Sequence, residues 1–350
     1  MDLQTDALGI LDLVTVPGFC VKNNQIIKCN TAAQGLFLTV GTDIRELLLT
    51  GKEEYSDFRG GCLYLSITCQ GNTWGASVTR TQDADIFLLE QNPYQPELQA
   101  LALAARELRS PLSNTMLITN QLLQQNPQER EAHARLNRGL HQLLRIIDNM
   151  SDAEYWYAGA LQETRNITSL MGEILEKASQ MAEATGIRLE YTLPEERIFT
   201  VCSAEQLERA VLNMLSNAIK FTPKDGIITV SLVRQGNTLR ISMRDSGSGI
   251  ADEILRTVFT RYLRRPVIED GRHGIGLGMV LIRNTAASHG GTVLIDRPEE
   301  GGTRVTLTLA IRSNAGNLSA PVTCPLAGGY DPALTYLADV LPYDLYDGTR

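Results

Sequence analysis

Between residues 101 and 150, apolar and small residues recur at steps of four and three. Leu101, Ala105, Leu108, Leu112, Thr115, Thr119 and Leu122 make one series, and Leu136, Leu140, Leu143, Ile147 and Met150 a second. That spacing keeps each series on one face of a 3.6-residue helix. Asn126-Pro127 separates them, because proline has no N–H and turns its predecessor away from helical geometry. The pattern predicts an antiparallel helical hairpin, each helix with one narrow apolar stripe. One hairpin leaves a long seam uncovered, so pairing with a second copy into a dimeric four-helix bundle is expected.

The flanking regions have different periods. FCVKNNQIIKCN sets two short apolar runs around Asn23-Asn24, a hairpin signal. TAAQGLF reads as a short helix, and CLYLSITCQ, TWGASVTR and ADIFLLEQ as strands, with a turn at Gly71-Asn72. PYQP at 93–96 marks a boundary. From 166 to 312, GIRLEYTLP, RIFTVCS, GIITVSLVRQ, TLRISMRDS, GTVLIDR and TRVTLTLAI read as strands. SAEQLERAVLNMLSNAIKF and LGMVLIRNTAASHG read as helices, as in an α/β two-layer sandwich. The last stretch opens polar and rich in Pro and Gly, then closes on LTYLADVLPYDLY, a short docking helix. The expectation is a multidomain α+β chain divided at 1–92, 93–158, 166–312 and 313–350.

Composition narrows the classes. The 350 residues are 43% apolar, enough for folded cores, and the net charge is −8. An acidic balance argues against a nucleic-acid partner, which needs a basic face. No run approaches the ~18 apolar residues of a membrane span, and MDLQTDALGILDLV lacks a basic n-region, so a cytoplasmic chain is expected. The six cysteines form no C-x-x-C pair and have no histidine at a metal spacing, which predicts reduced, buried thiols.

Three segments carry candidate chemistry. Ser203 and Gln206 make a capping box, after which Leu207, Ala210, Val211, Met214, Leu215 and Ala218 form a buried face. Asn213, Asn217 and Lys220 fall at i, i+4 and i+7 on another face. Amide oxygens are hard neutral ligands and an ammonium is a phosphate counter-charge, so the trio suits a magnesium-bound phosphate chain. Alone, two Asn on a solvated helix face are ordinary. DSGSGI, 245–250, follows a strand. Gly247 and Gly249 let the backbone approach a flat ring, and an ionised Asp245 accepts from an amino group. GRHGIGLGM, 271–279, exposes backbone N–H groups at a helix start, where anions bind. No βα unit surrounds it in the order a dinucleotide fold requires, and TGKEE at 50–54 is no Walker A.

Taken together, LNMLSNAIKFTP, DSGSGI, VFTRYLRR and GIGLGMVLIRNTAASHGG resemble, box by box, the ATP-binding domain of sensor histidine kinases, in the superfamily shared with gyrase, MutL and the heat-shock chaperones. The resemblance covers 166–312. It implies that Asn217 binds magnesium with Asn213 beside it, that Lys220 touches phosphate, and that Asp245 reads adenine. It also implies that Gly247, Gly249, Gly274, Gly276, Leu277 and Gly278 shape the pocket. The stretch between Ile250 and Gly271 would be the ATP lid, with Phe259 and Tyr262 at the aromatic positions and Arg261, Arg264 and Arg265 toward the phosphates. The layout of 1–92 is similar to a PAS sensor domain.

The same family carries His-Glu-Leu-Arg-Thr-Pro-Leu on the first helix of its dimerising hairpin. Here the segment reads Arg106-Glu107-Leu108-Arg109-Ser110-Pro111-Leu112, and the mismatch falls on the phosphoacceptor. A heptad with Leu101, Leu108 and Thr115 at a puts 106 at f, facing solvent. Imidazole has a free lone pair for phosphorus, whereas guanidinium is permanently protonated and only donates. Of the four histidines, His141 is the one serious substitute, expected exposed at f of the second helix; His133 lies near the bend, His273 in the lid, and His289 packs or caps. Glu107 is the candidate base and Ser110 the candidate water-orienting group for dephosphorylating a partner. The resemblance thus implies a two-component protein that binds Mg-ATP, does not phosphorylate itself at 106, and acts on a response regulator as a homodimer or with a related kinase. The alternative is an active kinase using His141 or a separate protein as acceptor.

Overall fold

The structure, a computed structural model, describes residues 11, 14–91, 96–125, 127–155, 163–255, 258–259, 277–312 and 330–347. Strands β1 (Gly18–Lys22) and β2 (Gln25–Cys29) turn on Asn23 and Asn24, both left-handed at φ 52° and 64°. Such a turn matches the strand twist, and Asn tolerates it. Asn30 caps α1 (Thr31–Gln34), its Oδ1 accepting from Ala33 N at 2.9 Å and Gly18 N at 3.0 Å. Short helices α2 (Ile44–Leu47) and α3 (Lys52–Asp57) lead to β3 (Cys62–Cys69), β4 (Asn72–Arg80) and β5 (Asp85–Gln91). The β3–β4 turn uses left-handed Gln70 and Gly71, one residue earlier than expected, because Asn72 already pairs with Cys69.

Helices α4 (Pro96–Gln125) and α5 (Arg130–Tyr155) form the antiparallel hairpin. Each predicted stripe splits into two faces. Ala105, Leu112 and Met116 pack on Leu140, Leu144 and Ile147, while Leu108, Leu122, Leu136 and Leu143 remain about half exposed. Arg109 of α4 pairs with the buried carboxylate of Asp148 on α5, which fixes the hairpin's register.

Strand β6 (Glu163–Asn166), unforeseen from the sequence, pairs with β8 (Phe199–Cys202). Between them lie α6 (Ile167–Glu183) and β7 (Arg188–Thr192). Helix α7 (Ala204–Phe221) starts at Ser203, whose Oγ accepts from Gln206 N. Next come β9 (Ile227–Gln235), β10 (Thr238–Asp245), α8 (Asp252–Leu255), α9 (Leu277–Ser288), β11 (Val293–Asp296) and β12 (Arg304–Ala310). The apolar faces of α6, α7 and α9 share one core with these strands, centred on Met171, Leu175, Leu207, Val211, Ile241, Ile282 and Leu307.

The two strand groups are joined. Antiparallel pairing of Tyr64 with Val293, Leu63 with Leu294 and Cys62 with Ile295 makes one ten-stranded sheet, ordered β2-β1-β5-β4-β3-β11-β12-β10-β9-β7. Two edges that would otherwise be open cover one another. Gly61 permits it: at φ 92°, a Cβ there would lie 2.1 Å from Ile295 O.

Residues 330–347 pack back on the molecule through α10 (Pro332–Tyr336) and a 3-10 turn at Tyr343–Tyr346. Tyr336, Leu337, Ala338, Leu341 and Tyr346 are buried in the core shared with α6 and α7. Cys20, Cys29, Cys62, Cys69 and Cys202 are all buried. Among the described residues no helix is long and apolar enough to cross a membrane.

Candidate functional site

Helix α7 is the spine of the site. Its apolar stripe is fixed in the core, which directs Asn213 and Asn217 toward α9. Asn213 is fully buried; its Nδ2 donates to Arg209 O at 2.9 Å and its Oδ1 accepts from Arg145 Nη2 at 3.2 Å. Asn217, half-buried, donates its Nδ2 toward Met279 Sδ at 3.6 Å. Lys220, also half-buried, holds its ammonium 5.4 Å from the Phe221 ring centroid. Gly278, in the first turn of α9, is where the helices approach: a Cβ there would stand 3.1 Å from Asn213 Oδ1.

The other end of α7 meets the DSGSGI turn. Asp245 is buried, and its Oδ1 accepts from Gly247 N at 2.8 Å and Thr303 N at 3.2 Å. Burial pushes its pKa upward and these N–H groups oppose the push. A Cβ on Gly247 would meet Phe221 O at 2.2 Å, so only glycine fits beside the end of α7. Gly249 is left-handed at φ 77°. From Asn213 to Phe221 the helix covers about 12 Å, at ~1.5 Å per residue. The two asparagines, the start of α9 and the Asp245 turn therefore lie along one helix.

Gly302 and Thr303 were not singled out from the sequence. A Cβ on Gly302 would fall 1.8 Å from Asp245 O, and its φ is 81°. The Gly301-Gly302-Thr303 run before a strand was the available signal. Arg145 and Asp339, which meet beside Asn213, left no sequence signal.

Several candidate positions lie outside the described residues: Arg261, Tyr262, Arg264, Arg265, His273, Gly274 and Gly276. Leu277 opens α9. Phe259 is buried against Tyr64 of β3, ring centroids 5.7 Å apart. On α4, Arg106, Glu107 and Ser110 are exposed.

His141 corrects the expectation of an exposed side chain. It is 5% exposed, roofed by Tyr330 and Tyr346, with Nδ1 3.0 Å from Thr335 Oγ1. The helix face that a heptad assigns to solvent is covered here by residues 330–347. Burial lowers the His141 pKa to about 4, against a smaller upward pull from Asp331. His289 is buried as well; its Nε2 accepts from Ser203 N at 3.0 Å, which leaves Nδ1 to donate to Thr285 O at 2.7 Å. It is a structural tie between α9 and the start of α7.

The family described as "Histidine kinase-, DNA gyrase B-, and HSP90-like ATPase" matches residues 202–313, the stretch that contains α7, the Asp245 turn and α9. The chain carries a domain of the ATPase type that histidine kinases, DNA gyrase B and HSP90 share. Beyond that domain, it is 30% identical over 217 residues to sensor histidine kinase ZraS of Escherichia coli O157:H7, covering 59% of this chain and 44% of that protein. It is 27% identical over 226 residues to the adaptive-response sensory kinase SasA of Gloeothece citriformis, covering 61% and 57%. The chain thus spans about half the length of these relatives. Among solved structures, the mycobacterial sensor histidine kinase MprB is 26% identical, with a TM-score of 0.37 over 43% of this chain and 98% of that one. The ATPase domain and the hairpin meet at Arg145, where the second hairpin helix enters the neighbourhood of Asn213.

Proposed function

We propose that this chain is a two-component signalling protein that binds Mg-ATP but does not phosphorylate itself on its hairpin. Arg106 carries the proposal: it stands exposed in Arg106-Glu107-Leu108-Arg109-Ser110-Pro111-Leu112, beside an ATPase domain of the histidine kinase type. A guanidinium offers no lone pair to phosphorus. His141, the substitute acceptor, is sealed under Thr335, Tyr330 and Tyr346, which weighs against its use.

The residues present fit the nucleotide and its metal. Asn217 supplies a carboxamide oxygen, a hard neutral ligand for magnesium, and Lys220 a cation for phosphate. Gly278 keeps the start of α9 clear, and Asp245, held by Gly247 and Thr303, would accept from the adenine amino group. Bound magnesium would neutralise phosphate charge. ATP then acts as a ligand that favours one arrangement of hairpin and ATPase domain over another by differential affinity. Glu107 and Ser110, exposed on α4, are available to a docked response regulator for dephosphorylation. The exposed Leu108, Leu122, Leu136 and Leu143 support pairing with a second hairpin, from this chain or a related kinase. The antiparallel sheet and short helices of residues 18–91 support a PAS-like sensor.

The test is incubation with γ-labelled ATP and magnesium, followed by acid and base treatment. The wild-type chain acquires no acid-labile label, and Arg106→His acquires it. Acid-labile label on the wild-type chain that disappears in His141→Ala sinks the proposal.

A further inference from the structure

Residues 330–347 hold α5 through a repeated pattern. Arg138, Gln142 and Arg145 follow at i, i+4 and i+7 along α5, on one face. Arg138 Nε donates to Ala338 O at 2.9 Å, and Gln142 Nε2 to the same oxygen at 3.4 Å. One row over, Asn137 Nδ2 donates to Tyr346 O at 3.0 Å. With Tyr336, Leu337, Leu341 and Tyr346 buried, the segment is a fixed part of the junction between hairpin and ATPase domain.

Arg145 ends this row and serves both sides. Its Nη1 lies 2.7 Å from Asp339 Oδ2 and 3.1 Å from Ser216 Oγ, while Nη2 donates to Asn213 Oδ1 at 3.2 Å. Its side chain is 11% exposed and that of Asp339 43%. A guanidinium has five donors and needs a counter-charge when desolvated. Here one face of it rests on two neutral groups of α7, and the charge is met by a carboxylate open to water. Asn213 Oδ1 is also the atom against which Gly278 sits at the start of α9. Arg145 therefore stands one contact away from the helix N-terminus offered to phosphate.

We propose that Arg145 is a further phosphate-positioning residue and that Asp339 is its built-in counter-anion, displaced when a polyphosphate binds. This rests on the ATP-binding reading above. The hairpin would feel the nucleotide through α5 itself: when ATP takes over the guanidinium, the tie from Arg145 to residue 339 is exchanged for one to the ligand.

The experiment is calorimetric titration of the full chain with MgATP, and with adenosine by competition. Asp339→Asn removes the competing charge and tightens ATP about two- to fivefold, the range of a partly exposed ion pair, without changing adenosine. Arg145→Gln weakens ATP by a similar factor, and in its presence Asp339→Asn has no further effect. Arg145→Lys keeps the charge and serves if the Gln variant does not fold. If ATP affinity is the same in wild type and Asp339→Asn, or if ATP and adenosine shift together, the exchange is wrong while ATP binding stands. If no chain binds ATP, the nucleotide reading fails and takes this proposal with it.

Discussion

Arg283 Nη1, in the middle of α9, lies 2.5 Å from Glu90 Oε2, at the end of β5. The same nitrogen donates to Phe259 O at 2.5 Å, and the guanidinium sits 5.4 Å from the centroid of Tyr64. One largely shielded cation of the ATPase domain is thus tied to two amino-terminal strands, β5 and β3, and to Phe259. Together with the β3–β11 pairing, it gives the amino-terminal strands a direct contact with the ATPase domain that does not pass through the hairpin.

Both side chains are largely shielded, 11% and 22% exposed, so the pair is not screened like a surface bridge. Replacing Arg283 with Ala strands the Glu90 carboxylate and is expected to lower unfolding free energy by about 2–4 kcal/mol in urea titrations. Arg283→Met combined with Glu90→Gln should cost less than the sum of the single changes by about 1–2 kcal/mol. Strict additivity would show that the two residues do not act as a pair.

Gly301 and Gly302 separate two causes of glycine requirement. Both are left-handed, at φ 89° and 81°, but a Cβ on Gly301 meets nothing within 4 Å, whereas one on Gly302 would overlap Asp245 O at 1.8 Å. Gly301→Ala is expected to cost about 1 kcal/mol, the backbone penalty alone. Gly302→Ala must open the turn that presents Asp245, and is expected to cost more than about 3 kcal/mol and to abolish ATP binding. Thermal unfolding with parallel nucleotide titration separates them; equal losses would mean that the close approach has no consequence.

How much of this was legible beforehand depended on whether the determinant was local. The turn at Asn23-Asn24, the cap at Ser203 and the buried stripe of α7 follow from spacing and side-chain chemistry, and each formed as expected. Long-range determinants left no trace. The β3–β11 pairing joins residues 62–64 to 293–295, and period-two alternation says that a strand has a partner, not which one. The same limit produced the error at His141. Heptad reasoning places a residue on a face of its own helix, and whether that face is wet depends here on Tyr330, Thr335 and Tyr346, nearly two hundred residues away. Arg145 was missed for that reason too, since an arginine on a helix face reads as solvated until Asn213, Ser216 and Asp339 are seen around it.

Asp245→Asn tests the adenine role with little change of shape. The amide oxygen can still accept from Gly247 N and Thr303 N, so stability should change by less than about 1 kcal/mol. The second oxygen becomes an NH₂ donor that faces the donor amine of adenine, leaving both unpaired. ATP affinity should fall at least about tenfold, while inorganic pyrophosphate, which lacks the base, is unaffected. A fall for both ligands would move Asp245 from base recognition to general support of the turn.

His141 gives the chain an acid sensitivity with a defined window. In the folded state burial holds its pKa at about 4, whereas the unfolded imidazole titrates near its ordinary 6.5. Between these values the unfolded chain binds a proton that the folded chain excludes, so stability is complete above about pH 6.5 and declines as pH falls toward 4. At about 1.4 kcal/mol per pKa unit, the decline reaches about 3 kcal/mol. Asp331, whose carboxylate favours the imidazolium, moderates the loss. His141→Asn keeps a hydrogen-bonding side chain opposite Thr335 Oγ1 and removes the proton site. Its unfolding free energy should therefore be lower at pH 7.5 yet flatter between pH 6.5 and 4, so that the two curves converge in acid. Parallel curves in urea unfolding across that range would mean that His141 exchanges its proton with solvent in the folded state, and that residues 330–347 do not seal it.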